Sequence, residues 1–440
     1  MHCPTVASAF RFRPWGTSLI CGVCSTAFFL GFAVGTNSRA GEPSAAVSAT
    51  NVSATVSGTA QHDDIPALIA KLGDDVFAVR EAASNQLARQ GIAAKPQLLA
   101  ALESSDAEVR FRARHILEVV VEADFQKRLS AFSADVDGKQ NLSMPGWSSF
   151  KRTMGSSQAA RQVFVEMQQA EAALLESYEA GPKQAAEKLR AQAALDPPTT
   201  NARGRNIIRP TVTNLGSILA WLFVAGDPDV PLSDDITART VMLPQNPVFQ
   251  EAVLRTTRES NPQREVCRKI MGRWISRDDL NSTLMMRNLF YAQAFNLQEG
   301  VIPAVSILKQ AQSPAIVKCN ALMVLERFGG KEHLPLVEPL LTDHQLCFDT
   351  GGNTQPMQVQ LGDVALVTTI VLSGQDPKNF GFERYQQSER ALTNVNLNTI
   401  AFASDKDREA AFQKWQEWQA GQRQAMGENP AAKSGAEKTE

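Results

Sequence analysis

Cysteine is scarce in this chain: there are six in 440 residues, and Cys3, Cys21 and Cys24 all fall near its start. That excludes the disulfide framework on which small secreted domains depend. Cys21-Gly22-Val23-Cys24 has the spacing of a redox pair, but it sits inside an apolar run with no histidine after it. Tyrosine is rarer still, three against six tryptophans, and aromatics total 7%, which argues against the Tyr-, Val- and Thr-rich strands of a sandwich or barrel. Charge of one sign is missing too. Forty-four Lys and Arg against 46 Asp and Glu give a formal charge of −2, without the basic footprint of a nucleic-acid binder. No Gly-rich phosphate loop, nucleophile elbow or HExxH string occurs, so no motif marks catalysis, a cofactor or a metal. Beyond residue 40 the most apolar stretch, Val212 to Ala225, has about fourteen residues, fewer than the ~18 a membrane span needs.

What the chain does have is an internal repeat. Pro66, Leu68, Ile69, Leu72, Val79, Arg80, Ala83 and Leu87 recur 30 positions later as Pro96, Leu98, Leu99, Leu102, Val109, Arg110, Ala113 and Leu117. Within each copy two amphipathic helical patterns flank a turn, Gly73-Asp74-Asp75 in the first and Ser104-Ser105-Asp106 in the second, with Gly91 closing the first unit. A period of this size built from two helices marks a stacked α-α repeat. Leu87 and Leu117 are expected to face fully inward. Arg80 and Arg110 are expected to reach the turn carboxylates Asp75 and Asp106, a charge-assisted contact that fixes stacking. The register returns with Val317, Lys318, Ala321 and Leu325, then Gly329, Leu336, Val337 and Leu340.

The remaining chain reads as further helices. Amphipathic or apolar patterns predict them at Ser156–Tyr178, Pro182–Leu195, Val212–Ala225, Phe249–Ser260, Gln263–Ile275, Leu284–Phe295, Val301–Gln312, Gln358–Ser373 and Asp405–Gln424. The segment 212–225 is apolar nearly all round and is expected to be a central buried helix. Arg11 and Arg13 precede an uncharged apolar run that ends before Ser38-Arg39-Ala40, so residues 1–40 are expected to be a signal peptide cleaved near Ala40, or alternatively an uncleaved anchor. Its removal takes three arginines and no acid, moving the formal charge from −2 to −5. The expected organisation continues with a disordered linker at 41–62, a repeat pair at 63–122, an irregular helical region at 123–246 and a second array at 247–342. A loop at 343–356, helices at 357–424 and a disordered tail at 425–440 complete it.

These features resemble HEAT repeats over residues 63–121 and 300–342. Strings elsewhere are similar to those of a group of exported bacterial HEAT-repeat proteins. They are Met144-Pro145-Gly146-Trp147 with Phe150; Asn214-Leu215-Gly216-Ser217 through Ala225; Gly362-Asp363-Val364-Ala365-Leu366; Gly374-Gln375-Asp376-Pro377; Phe380-Gly381-Phe382; and Arg408, Lys414-Trp415 and Trp418. The resemblance implies an all-α fold, an α-α superhelix of the HEAT-like α-solenoid kind, and export to the periplasm or cell envelope. It implies no activity. The expected function is a non-enzymatic scaffold or adaptor that binds a protein, not nucleic acid, with membrane contact only if the N-terminal segment stays uncleaved. No catalytic, cofactor or metal residues are assigned.

The alternatives are a membrane-anchored structural component of the envelope, or an enzyme or enzyme subunit using Asp343, His344, Cys347 and Asp349. That string holds carboxylate, imidazole and thiol groups but lacks a second ligand pair, and His333 is the only other histidine nearby. Asp234-Asp235 and Asp278-Asp279 read as charges at helix N-termini. Trp415 and Trp418 share a helical face with Phe412 and are expected to pack the last helix down; exposed, they would instead suit a partner or a glycan.

Overall fold

A computed structural model describes residues 64–195, 199–200, 206–207, 214–254, 262–349, 358–386 and 397–425. The expected signal segment, linker and C-terminal tail lie outside the described residues, apart from Ala425, which ends the last helix. The first four helices are α1 (Ile65–Ala70), α2 (Phe77–Gln90), α3 (Lys95–Ala101) and α4 (Ala107–Ala134). Asp106 caps α4, its carboxylate accepting from the amides of Glu108 at 2.8 Å and Val109 at 3.5 Å. Gly91 adopts φ +62° at the end of α2, a conformation that costs a residue without Cβ little.

The next group comprises α5 (Trp147–Met154), α6 (Gln158–Ala180), α7 (Pro182–Ala194), α8 (Leu215–Ala225), α9 (Asp234–Thr240), α10 (Pro247–Leu254) and α11 (Pro262–Ile275). Two short antiparallel strands, β1 (Thr199–Thr200) and β2 (Asn206–Ile207), lie between α7 and α8. Every side chain of α8 from Ile218 to Ala225 is buried, as its all-round apolar sequence requires. It packs so closely on α6 that a Cβ on Gly216 would meet the Glu166 carbonyl oxygen at 2.2 Å. Each large side chain buried there contributes ~1.5 to 3 kcal/mol. Arg273 of α11 and Tyr178 of α6 meet Asp227 just beyond α8, with Arg273 Nη2 2.6 Å from the carboxylate. Arg277 donates to the carbonyls of Ala225, Asp227 and Val230 at 2.7 to 3.0 Å, and its other edge binds Asp279. Asp279 is thus not an N-terminal helix charge but the counter-ion of the arginine that satisfies this turn.

The chain then runs through α12 (Ser282–Phe295), α13 (Val301–Lys309), α14 (Ala315–Phe328), α15 (Leu334–Val337), α16 (Leu361–Leu372) and α17 (Asp405–Ala425). Helices α12, α14 and α16 pack in succession, with α13 against α14 and α15 against α16. The fold is all-α, with neighbouring helices packed in pairs, compatible with an α-solenoid. Residues 346–349, expected to be loop, form β3 (Leu346–Asp349), and residues 358–360, expected to begin a helix, form β4 (Gln358–Gln360); the two pair antiparallel.

Among the described residues there are two hydrophobic cores, and α4 serves both. Its first half puts Val109, Ala113, Ile116 and Val120 into a small core with Leu68, Leu72, Leu87 and Leu98. Leu129 and Phe132, two turns further on, join the large core that runs to Trp415. Between Val120 and Leu129 no residue of α4 is buried. The helix therefore crosses residue 122 unbroken.

Candidate functional site

The repeat pair is stacked by arginines. Arg112 Nη1 lies 2.6 Å from Glu81 in the first unit, its Nε 2.7 Å from Glu108, and Arg80 Nε 3.2 Å from Glu108. The expected contacts of Arg80 and Arg110 with turn carboxylates are not the ones formed. Arg80 Nη1 donates instead to the carbonyls of Asp74 at 2.7 Å and Asp75 at 3.1 Å, and Arg110 Nη1 to those of Ser104 at 2.6 Å and Ser105 at 2.9 Å. A turn leading into a helix leaves carbonyls that lack partners, and a guanidinium one turn into the helix satisfies two of them at once. Lys318 repeats the device with one donor, reaching the Ala311 carbonyl at 3.2 Å. The counterpart of Arg112 30 positions earlier is Ala82, so the repeat gave no signal for its stacking role.

The same register defines an open face. Phe111 takes the position of Glu81, which in the first unit reaches Arg112 of the second, and Leu99 that of Ile69, which packs against the small core. No third unit follows, because α4 continues into the large core. Phe111 is accordingly 70% exposed and Leu99 47%. Phe77, 61% exposed, lies under the guanidinium groups of both Arg80 and Arg112 at 5.7 Å. Leu117, expected to be fully inward, is only half-buried for the same reason, whereas Leu87 is fully covered by the neighbouring unit.

At the other end, Arg408 of α17 binds Asp363 of α16 at 2.9 Å, and Asp363 also accepts the Gln360 amide at 2.8 Å. Burial raises the Asp363 carboxyl above the usual carboxylate range, against the pull of these partners. Trp415 is buried, with Phe380 edge-on, and Trp418 stacks on it at 4.7 Å. Trp147 and Trp274 are also core. Trp418 is half-buried and also lines a cleft of about 780 Å³ between α15 and α17.

Asp343, His344 and Cys347 do not form one site. His344 is exposed, with Nδ1 3.0 Å from Gln360 Oε1, while Cys347 is buried and turned toward α14, its Sγ 3.7 Å from the Ala315 carbonyl. His333 is occupied locally, accepting or donating at the Gly330 backbone. Among the described residues no three His, Cys, Asp or Glu side chains converge as a metal site would require. No helix of the described residues is long and apolar enough to cross a membrane.

The class these observations define is an all-α protein of packed helical pairs with one exposed stacking face. Comparison with known protein families, with curated proteins and with solved structures finds no match.

Proposed function

We propose that this protein is a non-enzymatic, exported scaffold or adaptor of the HEAT-repeat α-solenoid kind, which binds another protein in the periplasm or cell envelope. The observation that carries the reading is the face bearing Phe111 and Leu99: two large apolar side chains held open on a small, separately cored repeat pair. Aromatic and arginine side chains are enriched where proteins bind proteins, and a stacking face left without a neighbouring repeat is an apolar surface open to a partner. The ion pairs between the units hold this face rigid, which lowers the entropic cost of docking.

The test is an affinity capture from an envelope extract with three immobilised proteins: the wild type, the double variant Leu99→Glu, Phe111→Glu, and the control Leu195→Glu. Leu195 is 81% exposed and far along the chain. The expected result is a protein retained in stoichiometric amount by the wild type and the control and lost by the double variant, whose circular dichroism is unchanged. Equal retention by all three would overturn the reading.

A further inference from the structure

Cys319 and Cys347, 28 positions apart in sequence, lie on elements packed against each other. Cys319 lies on α14 and is completely buried; Cys347 lies on β3 and is 9% exposed. The Cys347 thiol points at the carbonyl of Ala315, 3.7 Å away, which is the carbonyl that the Cys319 amide engages one turn later in the same helix. The neighbouring Cys347 side chain and burial together hold the Cys319 thiol well above its ordinary pKa. Strand β3 packs on α14 along this stretch, so backbone packing rather than a chance rotamer brings them together. The third described cysteine, Cys267, is buried on α11, outside this pair.

We propose that Cys319 and Cys347 are a modification site at which a thiol–disulfide oxidant makes an intramolecular disulfide, tying the β3–β4 hairpin to α14. The chemistry needs one oxidising disulfide per bond formed. The Cys347 thiolate, the less buried of the two, attacks one sulfur of the oxidant and displaces its first thiol. The Cys319 thiolate then attacks Cys347 Sγ, forming the protein S–S bond and displacing the second thiol. Two cysteine thiols lose two electrons and two protons, and the oxidant takes up both to become two thiols. Burial and the Cys347 sulfur hold the Cys319 thiol well above its ordinary pKa, so Cys319 is the slower, resolving partner. The site goes beyond the proposed scaffold role and does not depend on it.

The experiment equilibrates the full-length protein, purified in reductant, with oxidised and reduced glutathione. It is then denatured, its free thiols are alkylated, and it is digested without reduction. The expected result is a peptide pair joining Cys319 to Cys347, separated by reductant, with Cys267 recovered alkylated. In Cys347→Ala, Cys319 should be recovered alkylated and joined to nothing. The proposal is overturned if both cysteines are recovered singly alkylated at every glutathione ratio, if Cys347 stops as a mixed disulfide with glutathione, or if Cys319 links to another chain.

Discussion

Single residues in this protein separate by what covers them. Leu87 and Leu117 occupy one position in two copies of the repeat, yet only Leu87 has a neighbouring unit stacked over it. Truncating a fully enclosed leucine leaves a cavity and costs about 2 to 5 kcal/mol, whereas a half-exposed one loses less and lets water in. Leu87→Ala should therefore lower the urea midpoint clearly more than Leu117→Ala; equal shifts would mean that the two units are covered alike. Arg408 is the sharper case. Asp363 is completely buried and its ionised form depends on Arg408, and stripping a buried ion of its partner costs about 3 to 5 kcal/mol. Arg408→Met alone should be strongly destabilising, and Asp363→Asn in the same chain should recover part of the loss. A double variant as unstable as the single one would refute the pairing.

At the level of elements, the turn after α8 is held by charge. Burial opposes ionisation of Asp227, but the Tyr178 hydroxyl, the Asp229 amide and Arg273 together hold its carboxyl below the usual carboxylate range. A carboxyl with a depressed folded pKa adds stability above its unfolded value and loses it as pH falls through its folded one. Tyr178→Phe removes one of those donors. Its cost, read from urea melts, should be largest near pH 6 and shrink toward pH 3, while a cost independent of pH would place the contribution of Tyr178 in packing alone.

The helices themselves were legible from the sequence, because 3.6-residue periodicity is local information: α6, α7, α11, α12 and α17 begin and end within about two residues of expectation. Strands β3 and β4 were not. Leu346 to Asp349 has no run of alternating apolar residues, and its pairing partner lies beyond a Gly-rich segment, so only tertiary contact defines it. The Cys319–Cys347 pair was hidden for that reason. Within the segment expected to be loop, Cys347 is buried. The open face was half legible: the repeat placed Leu99 and Phe111 in register with Ile69 and Glu81, but the run of α4 past Val121 decides that no unit of the described residues stacks there.

For the whole molecule the consequence lies in α4, one helix with two cores on it. The small core comprises only the first repeat pair, and units of about 60 residues bury a modest fraction of their surface and are correspondingly marginal. The stretch joining the cores is supported by exposed i,i+4 contacts, Glu122 with Gln126 and Asp124 with Arg128, each at 2.8 Å, and such pairs add only ~0.2 to 0.5 kcal/mol apiece. Phe125, the partly buried apolar side chain of that stretch, packs on the large core, and among the described residues no buried side chain of the stretch joins the small one. Unfolding should therefore proceed in two steps, the repeat pair first. Among the described residues tryptophan offers a clean separation, since Trp147, Trp221, Trp274, Trp415 and Trp418 all belong to the large core or pack against it and the small core contains none; Trp15 lies outside them. Far-ultraviolet circular dichroism should show an early transition that tryptophan fluorescence does not, and Leu87→Ala should move that transition alone. If both probes report one coincident transition, and Leu87→Ala shifts it as a whole, α4 transmits stability from one core to the other and the repeat pair melts with the body it is built on.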